Sequence, residues 1–277
     1  MKTKIFLAAV AAAFSASGAL AADLPNKKAA AEPVVVSPWD FAVGATLTSD
    51  YIFRGISQSN HKPSVWGRGE LRYNINDMWQ LYAGVSGESI KLIPVGASPA
   101  LELDATAGVR ATFGAFAVDA GGIIYGYPNT PKTFYIDGRT VTWGELYVKP
   151  TYTFNDTFSV GANLFYTPSM LNTGAAATYL SATAKVNLPN NFALSGEFGR
   201  QWIGKTSAVF GPVNLPDYNY WNVGASYTYK IATVDLRYHG SDLSKGNCAA
   251  ITGGFNRLCG HRFVGTLSFD LTSKDLK

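Results

Sequence analysis

Arg68, Glu70 and Arg72 occupy alternate positions, and on an extended strand such residues share one face. Asp50 and Arg54 precede them, read as lying on the strand before, and Glu102, Asp104 and Arg110 repeat the pattern further along. The same alternation gathers Lys149, Lys185, Arg237 and Arg262 with Asp119, Glu145, Glu197, Asp235 and Asp270. The two signs nearly balance. Opposed rows of cationic and anionic side chains around a water-filled passage set a transverse field and select solutes by charge. Paired across neighbouring strands, the same rows would plug a narrow interior with salt bridges. Asp50, Arg54, Arg68, Glu70, Arg72, Glu102, Asp104 and Arg110 are therefore candidates for a constriction, and equally for a structural ion-pair ladder.

Other chemistry finds less support. Only His61, His239 and His261 are available as bases, each in or beside an expected loop, with Ser57 and Ser59 near His61. The sequence contains no Gly-x-Ser-x-Gly elbow, His-Glu-x-x-His helix or phosphate-cradling loop, so no enzymatic activity is expected. A formal charge of +4, without a basic cluster, gives no reason to expect nucleic acid as a partner. Cys248 and Cys259 lie in one expected loop. An exported chain favours a local disulfide between them. Zinc binding with His261 is the alternative, but two thiols and one imidazole make an incomplete site. No metal and no cofactor are expected.

The elements that must position these residues show a rhythm of joints. Tight ones stand at Asn74-Ile75-Asn76-Asp77, Phe113-Gly114, Asn155-Asp156, Leu188-Pro189-Asn190-Asn191 and Tyr229-Lys230. Longer stretches fall between them near 55–64, 88–99, 127–142, 168–176, 204–217 and 240–261. Short turns at one rim and long loops at the other are the habit of outer-membrane barrels. The segments between alternate in polarity. Phe158, Val160, Ala162, Leu164 and Tyr166 oppose Ser159, Gly161 and Asn163; Leu101, Leu103, Ala105, Ala107, Val109 and Phe113 oppose Glu102, Asp104, Thr106 and Arg110. Val223, Ala225, Tyr227 and Tyr229 oppose Asn222, Ser226 and Thr228, and the last segment sets Phe263, Leu267, Phe269 and Leu271 against Arg262, Thr266, Ser268 and Asp270. Trp39, Trp79, Tyr82, Trp143, Tyr166, Trp202, Tyr229 and Tyr238 stand near segment ends, where amphipathic rings meet lipid headgroups.

Alternation alone does not say which face is outside, because a soluble barrel would turn the apolar set inward. Three features favour lipid outside: about a dozen strands, polar faces of Gly, Ser, Thr and Asn with few Lys, and a loop asymmetry that runs the length of the chain. Composition agrees. Charged residues are 15% and aromatic residues 13% of the chain, while mean hydropathy is only +0.04. No apolar run approaches the ~18 residues of a spanning helix, and only closed barrels otherwise satisfy the backbone in lipid. Lys2 and Lys4, the apolar stretch from Ile5 to Phe14 and Ala19-Leu20-Ala21 read as a secretory leader cleaved after residue 21. Loss of those lysines brings the net charge to +2. Residues 22–38, rich in Ala and Pro, read as a flexible periplasmic lead-in, and 39–277 as the barrel.

The segment Thr46-Leu47-Thr48-Ser49-Asp50-Tyr51-Ile52-Phe53-Arg54-Gly55-Ile56-Ser57-Gln58-Ser59 resembles the opening signature of the TorF-family porins, proteobacterial outer-membrane proteins. So do Leu215-Pro216-Asp217-Tyr218-Asn219-Tyr220-Trp221-Asn222-Val223-Gly224, Val234-Asp235-Leu236-Arg237-Tyr238 and Asp242-Leu243-Ser244-Lys245. The resemblance spans essentially the whole mature chain and implies an outer-membrane location and a channel role. The combined expectation is an all-β chain: a transmembrane up-and-down antiparallel β-barrel of about 12 strands. Its partners would be outer-membrane lipid and small hydrophilic solutes or ions, passing by diffusion. A closed structural or surface-binding barrel is the alternative, with the loop 240–260 as its platform. Solute and oligomeric state are not legible in the sequence.

Overall fold

The computed structural model describes residues 37–92, 98–131, 140–207 and 211–276. The expected leader, and all of the lead-in but Ser37 and Pro38, lie outside these residues. The wall is built from β1 (Trp39–Thr48), β4 (Ser64–Asn74), β5 (Trp79–Ser89), β6 (Leu101–Phe113), β7 (Phe116–Gly126) and β8 (Trp143–Thr153). It continues through β9 (Phe158–Thr167), β10 (Ala177–Asn187), β11 (Phe192–Ile203), β12 (Tyr218–Tyr229), β13 (Ala232–Ser241) and β14 (Arg262–Thr272). Two short strands, β2 (Ile52–Phe53) and β3 (Ile56–Ser57), form a hairpin inside the first long loop, and helix α1 (Lys245–Ile251) lies in the last.

Each wall strand pairs antiparallel with its sequence neighbour, and β1 pairs with β14 to close a barrel of twelve strands. The closing register sets Ala45 against Phe269 and Thr48 against Thr266. Closure leaves no open edge, so every wall strand has a hydrogen-bonding neighbour on both sides.

The tight joints follow from local chemistry. Asn76 Oδ1 accepts from the amides of Met78 and Trp79, and Asn155 Oδ1 from those of Thr157 and Phe158, each at 2.9 Å. A side chain that mimics a backbone acceptor in this way fixes a turn without a long loop. The β12–β13 joint turns through Lys230, at φ 53°, and the β6–β7 joint through Gly114, at φ 62°.

Alternation decides the faces, and the apolar set is outside. Every wall strand presents at least one exposed large apolar side chain, among them Leu47, Val65, Val85, Leu103, Ile124 and Leu146. Leu164, Leu180, Leu194, Val223, Leu236 and Phe263 complete the circuit. Leu146 is 68% exposed and Phe263 72%, whereas inward Glu102 and Glu145 are each 3% exposed. A belt of this extent far exceeds the apolar patches that water-soluble monomers expose, and it fits the lipid-facing band of a transmembrane barrel.

Two expected headgroup aromatics instead face inward. Tyr82 shares parity with Gln80 and Trp143 with Glu145, and both rings are buried. The Tyr82 hydroxyl donates to Asp119 Oδ1 at 2.5 Å, a partner that lipid would not provide. Trp39, Trp79, Tyr166, Trp202 and Tyr229 are exposed, as a girdle requires.

The lipid-facing assignment predicts a depth-dependent penalty for charge. Val85→Arg, in the middle of β5, should cost about 2–4 kcal/mol of stability, and Val65→Arg, near the rim, only about 0–1 kcal/mol. Equilibrium unfolding from lipid vesicles checks this, with equal costs counting against a membrane-facing wall.

Candidate functional site

The lumen carries its charges at two levels. Toward the short-turn rim, Arg110 on β6, Asp119 on β7 and Lys149 on β8 stand directly opposite one another in register. Arg110 holds Glu70 of β4 through two parallel bonds of 2.8 Å and lies 3.5 Å from Asp119 Oδ2, the same oxygen that is 3.9 Å from Lys149 Nζ. Arg72 binds the same Glu70 at 2.6 Å and Asp40 of β1 at 3.3 Å. The Arg110 guanidinium sits 3.9 Å above the Tyr82 ring. Gly108 makes room for this layer, because an added Cβ would fall 2.6 Å from the Tyr82 hydroxyl and 2.5 Å from the Ala120 carbonyl.

Toward the long-loop rim, the first loop (49–63) folds into the barrel. Arg54 and Gly55 turn at its tip with φ of 45° and 84°. The Arg54 guanidinium reaches Glu145 of β8 by two bonds of 2.9 and 2.8 Å, and Gln201 of β11 at 3.0 Å. In the barrel order β8 is five strands from β1 one way and seven the other, so Arg54 crosses the lumen. The rings of Tyr179, Phe53 and Phe165 lie 4.4–4.8 Å from its guanidinium carbon. Burial alone would lower the Arg54 pKa, but the Glu145 carboxylate outweighs burial and holds it above its ordinary value.

Asp50 organises the loop behind this tip. Its carboxylate accepts from Ser57 at 2.6 Å and Ser59 at 2.8 Å, and lies 2.8 Å from Arg262 and 3.0 Å from His61 Nδ1. The other ring nitrogen of His61 is 2.7 Å from the Arg257 carbonyl. Both serines thus address Asp50, and neither is placed on the imidazole as a nucleophile on its base would be. Cys248 and Cys259 are joined by a disulfide, which leaves no thiolate for zinc. The stapled loop backs the first one, since Leu258 accepts from the Ser57 amide at 2.8 Å and Cys259 bridges Ile56.

The rest of the wall is similarly cross-linked. Arg237 binds Asp235, Asn222 and Ser195 at 2.7–2.9 Å, and Arg68 pairs with Asp270. Cavities interrupt the filling. One of about 40 Å³ is lined by Glu70, Tyr82, Arg110, Asp119, Tyr147 and Lys149 among others. Another of about 30 Å³ lies beside Asp50, Trp66, Asp235, Arg237 and His239. Each is large enough for a small number of waters.

The expected constriction residues thus all face the interior, but they do not form one wall. Asp50 and Arg54 belong to an inserted loop, not to the first strand, which ends at Thr48. Arg72, Glu70 and Arg110 make the layer at the short-turn rim, while Glu102 and Asp104 lie at the other end of β6. Sequence reading missed Glu88, because it placed 88–99 in a loop whereas β5 runs to Ser89. The inward series Gln80, Tyr82, Gly84, Ser86, Glu88 carried the signal. It also missed Tyr51, Tyr125 and Gln201. Tyr51 donates to Glu102 at 2.7 Å and Tyr125 to Glu145 at 3.0 Å.

A family model described as "Bacterial protein of unknown function (Gcw_chp)" matches residues 30–268. No curated protein matches the chain. A structure solved in work on the in-meso crystallisation of membrane proteins is similar at a TM-score of 0.53 and 10% identity, over 85% of this chain and 84% of that one. This likeness is one of fold. The NanC porin follows at a TM-score of 0.46 and 10% identity, over 84% of this chain and 100% of its own. The KdgM porin gives 0.45 and 8%, over 83% and 98%.

Breaking one side of the Arg54–Glu145 pair should cost more than removing both. Glu145→Ala strands a buried guanidinium and is expected to destabilise the barrel by about 3–5 kcal/mol. Adding Arg54→Ala to it should recover a measurable part of that loss. Unfolding of the wild type, Glu145→Ala, Arg54→Ala and the double variant in vesicles completes the cycle, and simple additivity would mean that the pair is not coupled.

Proposed function

The chain belongs to the Gcw_chp family of bacterial proteins of unknown function, and on that premise we propose that it is an outer-membrane channel of porin type. Ions and small hydrophilic solutes pass by diffusion, and the protein supplies shape and field without cofactor or covalent chemistry. The resemblance of the first strand and its loop to TorF-family porins belongs to this reading. So does export through the leader at 1–21, with residues 22–38 and the short turns on the periplasmic side.

The observation that carries the proposal is the Arg54 strut. A charged loop tip laid across a polar lumen, held by Glu145 and Gln201, narrows a passage, and removing that contact would widen it. Twelve strands also enclose an interior between the side-chain-filled eight-stranded barrels and the open sixteen-stranded porins.

A closed structural or surface-binding barrel is the second reading. It is favoured by the burial of most lumen side chains and by the stapled loop presented at the long-loop rim.

Single-channel recording in a planar bilayer under a salt gradient separates the two. The channel reading expects small discrete steps from the wild type and larger ones from the Arg54→Ala/Glu145→Ala pair, which removes the strut without stranding a charge. Silence from both proteins, each shown folded by its heat-dependent gel mobility, would reject the channel in favour of the closed barrel.

A further inference from the structure

The buried acids of this barrel divide sharply. Asp50, Asp119, Glu145 and Asp235 each have an arginine nitrogen 2.8–3.5 Å away. Glu88, Glu102 and Asp104 are as deeply enclosed, at 7, 3 and 6% exposure. Among the described residues no basic side chain is within ion-pair distance of any of these three, although the Arg68 charge, itself paired with Asp270, acts on Glu88. Glu88 and Glu102 face each other in register across β5 and β6, and Asp104 follows on the same face of β6. Like charges placed directly opposite on a sheet repel, yet one oxygen from each of the three carboxylates lies within 4.8 Å of the other two.

The oxygens are also incompletely satisfied. Glu88 Oε2 and Asp104 Oδ1 are enclosed and have no hydrogen-bond partner. A buried carboxylate oxygen without a partner is costly, and two beside a third carboxylate define a concentrated negative site. Glu102 is braced by the Tyr51 hydroxyl at 2.7 Å and by Tyr127, and Glu88 has a hydrogen bond to Ser86 through its other oxygen.

We propose that Glu88, Glu102 and Asp104 form a binding site for a divalent cation of the calcium class. The donor set is all oxygen, which suits a hard cation rather than zinc or copper. Calcium takes oxygens at about 2.3–2.6 Å, so ligands on opposite sides of one ion stand close to 4.8 Å apart. Three carboxylates supply three to six of the six to eight oxygens it takes, and water can complete the shell. Magnesium holds its ligands closer, demands near-octahedral geometry and gives up water reluctantly, so it fits this trio less well. Because Glu102 also holds Tyr51, the bound ion ties the inserted loop to the β5–β6 wall at the mouth of the lumen. This site is independent of whether the lumen conducts.

The test uses the full chain, folded in detergent and stripped with chelator, and terbium as the luminescent probe. Tyrosine excitation should give saturable Tb³⁺ emission, because the Tyr51 ring is bonded to a ligand carboxylate, and Ca²⁺ should displace it. Glu88→Gln/Asp104→Asn keeps the side-chain shapes and should weaken Tb³⁺ binding by about tenfold or more, as removal of two ligand charges implies. Its heat-dependent gel shift reports that it is folded. In the wild type, Ca²⁺ should also raise the temperature of that shift, and the variant should lose the response. Absence of saturable Tb³⁺ binding to folded wild type, or unchanged affinity in the folded variant, overturns the site. Displacement by Mg²⁺ as effective as by Ca²⁺ overturns the calcium assignment. Stability that follows pH but ignores added cation would mean that shared protons, not a metal ion, offset the three charges, and would also overturn it.

Discussion

A chain that crosses hydrocarbon as strands must pair every backbone amide and carbonyl within itself, and here the β1–β14 pairing completes that requirement. Closure has a direct consequence for side chains. Strand alternation sends half of them into lipid and half into an enclosed interior. The lipid half must be apolar, so the interior receives nearly all of the strands' charge. Arg68, Glu70, Arg72, Arg110, Asp119, Lys149, Asp235 and Arg237 are consequences of that division.

Inside the barrel most of these ions are buried or half-buried, so few are left to open solvent. The charges are instead offset by one another, and the registers set which pairs form. Arg110, Asp119 and Lys149 are direct cross-strand neighbours, so their row is dictated by the β6–β7 and β7–β8 registers. A shift of β7 by one residue would send Asp119 into lipid. Paired charges of this kind act as cross-links over the polar lumen, with small cavities between layers.

The first and last long loops extend the same logic to the rim. The first loop brings Arg54 to the far wall, where Glu145 offsets it, while Asp50 gathers Ser57, Ser59, His61 and Arg262 behind the tip. The disulfide-stapled loop supplies backbone partners at Leu258, Cys259 and Arg257. Loop insertion is thus held by ionic contacts at its tip and by main-chain contacts at its base.

The sequence by itself determined the leader-like start as an expectation, and it determined the twelve-fold rhythm, the tight joints and the inward parity of the charged residues. Each of these rests on local rules: turn chemistry at Asn76 and Asn155, and a side-chain period of two that needs no partner to be read. It did not determine the placement of Asp50 and Arg54, because nothing local distinguishes a strand that continues from one that stops at Thr48 and turns into the lumen. It also misplaced Tyr82 and Trp143, since an aromatic ring suits both a headgroup and a hydrogen-bonded interior. Only the tertiary structure decided that Arg54 meets Glu145, 91 residues away, and that Glu88, Glu102 and Asp104 converge without a basic partner among the described residues. Convergence across a closed barrel depends on register and curvature summed over many strands, and those quantities exist only once the ring is complete.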